Sequence, residues 1–144
     1  MKTLIILILI VAAGWYLWTH YGQRHTDVAS TAGATAAQSC ASAAAAAADT
    51  WGSGVGRFAN PPYDTSAWDD FRSRVEEQAR RAQEKCLCAE TACTTAKNAM
   101  SDLRSLVAEM DTSLRSGSPP PSDLVQRQEA IDNAVSAARD QAAH

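Results

Sequence analysis

Four cysteines carry the reactive chemistry of this chain: Cys40, Cys86, Cys88 and Cys93. Two chemistries compete for them. Four thiolates are enough to hold a zinc ion, but structural zinc sites pair their ligands in short knuckles. The Cys-x-Cys-x4-Cys run from Cys86 to Cys93 does not have that spacing. A thiol oxidoreductase needs Cys-x-x-Cys at a helix N-terminus in a strand-helix setting. This sequence has neither the spacing nor the strands. An even number of cysteines in a small, thinly cored domain fits a disulfide framework. His20, His25 and His144 do not combine with carboxylates or cysteines at a metal-binding spacing. Gly52-Ser-Gly-Val-Gly56 has no strand before it and no helix start after it, so it is not a phosphate cradle. The expectation is a protein that is not an enzyme, with no catalytic residue, metal, cofactor or small-molecule substrate.

Which cysteines bond depends on the elements that carry them. Val75, Ala82, Ala89, Ala96, Leu103 and Met110 recur every seven residues. Ala79, Cys86, Cys93, Met100, Val107 and Leu114 repeat the same step, offset by four. Alternating steps of three and four make a coiled-coil seam. Glu76, Glu77, Arg80, Arg81, Glu84 and Lys85 lie mostly off it. The pattern predicts one helix over about 66–115, roughly 75 Å long at 1.5 Å per residue. Ser66 is the expected N-cap, with Asp69 and Asp70 in the first turn, where carboxylates suit the helix dipole. On one unbroken helix Cys86 and Cys93 lie about 10 Å apart, past the ~7 Å limit for a disulfide. Cys88 and Cys93 are also too far apart there.

Two shorter helices flank the long one. Val28 to Trp51 is nearly all Ala, Ser and Thr, with a run of alanines from Ala43 to Ala48. Such a segment is either a flexible stalk or a helix with a narrow small-residue face. Alanine's propensity favours a helix over about 29–51. Gly52 to Gly56 ends it, and Asn60-Pro61-Pro62 bars its resumption. Gly117 and Pro119-Pro120-Pro121 stop the long helix. A third helix over about 122–142 repeats the heptad with Leu124, Ile131 and Ala138. The fold expected is all-α: an antiparallel helical hairpin or three-helix coiled-coil-like domain, short-long-short. Cys40–Cys86 is then the first choice of staple and Cys40–Cys93 the next. Closing a loop of nearly fifty residues contributes about 4 kcal/mol in the chain-entropy model. Cys88 and the remaining cysteine either bond between chains or the helix breaks locally and they bond within it.

The N-terminus sets the address. Residues from Thr3 to Trp18 carry no charge, and Thr19 to Gly22 add only weakly polar groups. Counted to Tyr21, the stretch reaches the ~17–25 residues a helix needs to cross a bilayer. Trp15, Tyr16, Trp18 and Tyr21 crowd its end, where aromatic rings favour the headgroup layer. Residues 1–22 read as an uncleaved signal-anchor transmembrane helix and residues 23–28 as a tether. Lys2 and the terminal amine favour a cytoplasmic N-terminus. The expected location is the inner (cytoplasmic) membrane, single-pass, with residues 29–144 periplasmic. A cleaved signal peptide ending at Ala12-Ala13-Gly14 is the alternative, and it would leave a secreted helical factor.

Composition limits the partners. A formal charge of −3 speaks neither for nucleic acid nor for a basic membrane-binding face. About a fifth of the chain is alanine, which favours helix but buries little area. A slender domain of that kind gains stability from crosslinks or from a protein partner, a second copy included. The expected role is a membrane-anchored extracytoplasmic interaction or scaffold protein, a small structural part of an envelope assembly. In layout and size the chain is similar to the phage-type inner-membrane spanins, which place a short N-terminal anchor before a periplasmic coiled coil, often with cysteines. That resemblance implies a role in lysis. The alanine-rich first helix and the Pro119-Pro120-Pro121 break depart from the family's pattern.

Overall fold

Thr35 opens the first helix by a reciprocal cap. Its hydroxyl accepts from the Gln38 amide at 3.2 Å, and its own amide donates to the Gln38 side chain at 3.0 Å. The computed structural model describes residues 34–144, and the transmembrane anchor, the tether and the membrane-interface residues Trp15, Tyr16, Trp18 and Tyr21 lie outside them. No helix among the described residues is long and apolar enough to cross a membrane.

The described residues form four helices and no strand. Helix α1 spans Ala36–Gly54. Alanine at Ala37, Ala41, Ala44, Ala47 and Ala48 is buried, together with Cys40 and Trp51. These positions make a wide apolar stripe of small side chains, so neighbouring backbones can come close. A 3-10 turn over Val55–Phe58 follows, and Val55 and Phe58 join the core. Helix α2 spans Thr65–Lys85 and is capped by Asp64, whose carboxylate accepts from the Ala67 amide at 2.9 Å. Asp64 therefore takes the role expected of Ser66, because a carboxylate there reaches the orphan amide of the third helical residue. Helix α3 spans Thr91–Arg115 and helix α4 spans Leu124–Ala142.

The single helix expected over 66–115 is corrected by this structure. The segment is two helices, α2 and α3, separated at residues 86–90. The short-long-short domain is therefore a bundle of four helices. The cause is covalent: Cys88 bonds to Cys93, which brings their Cα atoms to 5.8 Å. Five residues along a continuous α-helix are about 8.7 Å apart, so bond and helix exclude each other there.

Each neighbour pair runs antiparallel. Cys40, near the start of α1, bonds to Cys86 at the end of α2. Trp68, near the start of α2, donates its indole N–H at 2.8 Å to Asp111 near the end of α3. Thr95 in the first turns of α3 meets Gln141 in the last turn of α4. Helix α4 returns along α1, and α1 also touches α3 across the bundle. The core runs unbroken between the two ends. At one end Trp51, Phe58, Trp68 and Phe71 pack with ring centroids 5.2–6.4 Å apart. At the other end the core is alanine and the disulfides.

Candidate functional site

The residues with reactive chemistry meet at one corner, where α2 turns into α3 against the start of α1. The geometry grows from three local facts. Helix α2 ends at Cys86, whose amide donates back to Ala82 at 3.0 Å. Helix α3 begins after Glu90, whose carbonyl accepts from the amides of Cys93 and Thr94 at 3.0 and 3.2 Å. Between them Leu87 stands 77% exposed. Both chain ends of this corner are pinned. Cys40 and Cys86 have Cα atoms 4.8 Å apart and bond beneath the corner, where both are buried. Cys88 is only partly buried, while Cys93 is wholly so.

All four cysteines are therefore spent in bonds. Cys40–Cys86 is the pairing preferred above. The second bond takes the route of a local helix break, not a bond between chains. No three metal-ligating side chains group together among the described residues.

The seam residues lie where packing needs them, with one exception. Val75, Ala79, Ala82, Ala96, Met100, Leu103, Val107, Met110 and Leu114 are buried. Ala89, expected on the seam, is exposed instead. The Cys88–Cys93 bond turns the chain at this position and lifts Ala89 off the helical face. A third buried row, Ala92, Ala99 and Leu106, is absent from the two-row seam read from the sequence. It lies beside the Cys93, Met100, Val107 row at the same seven-residue step, and it exists because α3 packs against α1, α2 and α4. That extra row is the mark of a bundle helix rather than a coiled-coil strand.

The opposite end holds the best-organised polar contacts. Arg115 donates to both carboxylate oxygens of Asp111 at 2.9 and 3.0 Å and to Asp69 at 2.6 Å. Arg72 lies 3.7 Å from Asp111. Burial pushes the Asp111 carboxyl up, but the hydrogen bonds from Arg115 and Trp68 and the charge of Arg72 outweigh it. The net result holds Asp111 below its ordinary range. These groups tie α2 to α3 at a distance from the disulfides. Sequence spacing could not pair Trp68 with Asp111, since they are 43 residues apart.

Between α1 and α4 lies an open cleft of about 420 Å³, lined by Ala45, Ala48, Asp49, Gly52, Asp132 and Arg139 among others. Burial, then the charge of Asp49, raises the Asp132 carboxyl. The arrangement can host a polar or cationic side chain. The chain matches no protein-family model, no curated protein and no solved structure.

Proposed function

We propose that this chain is a membrane-anchored extracytoplasmic helical scaffold: a single N-terminal anchor holds a crosslinked helical bundle at the outer surface of the inner membrane. Its role is structural and not catalytic. Its partners are the lipid bilayer and a protein of the envelope, with no nucleic acid and no small-molecule substrate. The observation that carries the reading is the pairing of all four cysteines as two disulfides. Such bonds persist in oxidising compartments, the bacterial periplasm among them. The charge-free run from Thr3 to Trp18 supplies a means of reaching and staying at that place. A bundle with an alanine-lined α1 has a thin core, and crosslinks suit it for work outside the cell's reducing interior.

Reporter fusions placed after His144 test the proposal. An enzyme active only outside the cytoplasm should be active there, and a reporter active only in the cytoplasm should be silent. Cytoplasmic activity contradicts the orientation. N-terminal sequencing of the mature chain adds a second arm: a start at Met1 supports the anchor, and a start near Trp15 replaces it with a secreted bundle.

A further inference from the structure

The turn between α2 and α3 has none of the residues that make turns. From Thr65 to Arg115 the sequence contains no glycine and no proline. No residue of this turn has a positive φ, and Glu90, the N-cap of α3, makes no side-chain capping bond. Leu87, Ala89 and Glu90 are ordinary helix formers. The heptad step also runs through the turn without a phase change, from Ala82 through Ala89 to Ala96 and from Cys86 to Cys93. The corner is therefore written as helix in every respect but one, the Cys88–Cys93 bond.

We infer that this bond holds shut a hinge, and that its reduction lets α2 and α3 join into one helix and exchange halves with a second copy of this chain. The second copy is the fitting occupant because it alone offers the same core. Helices α1 and α2 stay together through Cys40–Cys86. Helices α3 and α4 move as the other half, and every contact they leave is remade by the same half of the partner copy. Only residues 86–90 change, gaining helical hydrogen bonds and returning Ala89 to the seam. The joined helix over residues 65–115 would be about 77 Å long. The inference stands apart from the anchor reading, since it depends only on the described helices.

The chemical step is a thiol-disulfide exchange with a dithiol reductant. A reductant thiolate attacks the sulfur of Cys88, the less buried partner, and the bond to Cys93 breaks. Cys93 leaves as a thiolate in the first turn of α3, where the helix dipole favours negative charge, and then takes a proton. The reductant's second thiol gives up its proton and closes on the mixed disulfide, releasing the Cys88 thiol. Two electrons and two protons pass from the dithiol to the two cysteines. The Cys40–Cys86 bond is shielded by burial of both residues.

The test compares the full chain in mild detergent with C88S/C93S and with C88S/C93S/T91P, by light scattering and circular dichroism. Thr91 is the first residue of α3, where proline is tolerated, and Glu90 before it has φ −67 and ψ 149, a conformation that suits the residue preceding proline. Proline there permits the turn and forbids the joined helix. The expected result is a dimer in C88S/C93S with a dissociation constant at least about tenfold below that of the wild type, and helicity that is equal or higher. The wild type treated with limiting dithiothreitol should follow it, and T91P should restore the wild-type mass. A double variant with the wild-type mass at every concentration overturns the inference. So does loss of helicity, or a T91P chain as dimeric as its parent.

Discussion

The two ends of this bundle turn the chain by different means. At one end α1 passes to α2 and α3 passes to α4 through glycine and proline: Gly54, Gly56, Pro61 and Pro62 in the first turn, Gly117 and Pro119 to Pro121 in the second. Gly117 takes φ +69, a left-handed conformation that glycine adopts without the strain a side chain brings. Four aromatic rings fill the core beside these turns. At the other end α2 passes to α3 with no such residue, and the core is alanine. Two disulfides do there what backbone preference and ring packing do at the first end. Stability at one end is packed and independent of redox state. At the other it is covalent and conditional on an oxidising environment.

The comparison breaks most sharply at Trp68. Trp68→Ala removes a buried ring that touches three other rings and donates to Asp111, and it should cost about 3–5 kcal/mol. Chemical denaturation should give the same loss with and without a reductant. Cys40→Ser comes next, at about 2–4 kcal/mol under oxidising conditions. After reduction the variant and the wild type should melt together; an equal deficit after reduction would assign the effect to packing. Gly54→Ala follows. A Cβ there would lie 2.2 Å from the Phe71 ring, so the ring or the helix end must shift, at a cost of about 1–3 kcal/mol. Thermal melting measures it, and no loss would mean that the ring end is loosely packed.

Much of the fold was legible because helical periodicity is a local signal. The apolar rows of α3 and α4, the stops at Gly52 to Gly56 and at Pro119 to Pro121, and the absence of strands among the described residues all follow from spacing and backbone chemistry. The break at residues 86–90 was legible only as one of two alternatives, the other being a bond between chains. The heptad gives no phase change there, and a bond between Cys88 and Cys93 is a tertiary choice that competes with helix propensity and wins. The same limit hid the contribution of Val55 and Phe58, which look like a loop between glycine and proline but close the aromatic end. Polar ties such as Trp68 to Asp111 depend on the topology and carry no spacing of their own.

The smallest predicted effect is a contrast in pH response. Asp111 has its folded-state pKa held below the ordinary value, so its stabilisation is present at neutral pH and is lost as pH falls through and below about 4. Asp132 has its folded-state pKa raised, so its ionised form opposes folding at neutral pH, and that cost fades as pH falls toward the ordinary aspartate value. Asp132→Asn should therefore raise the melting temperature near pH 7 by at most about 2 °C and lose that gain in acid. A variant that melts lower at neutral pH would contradict the raised carboxyl.

The most direct test is a disulfide map of the chain isolated from expressing cells, with free thiols alkylated before lysis. Cleavage after Leu87 and after Glu90 separates Cys86, Cys88 and Cys93 into distinct peptides. No cysteine should be alkylated, and two linked pairs should be found, Cys40 with Cys86 and Cys88 with Cys93. Four alkylated cysteines, or linked pairs other than these, would contradict that pairing.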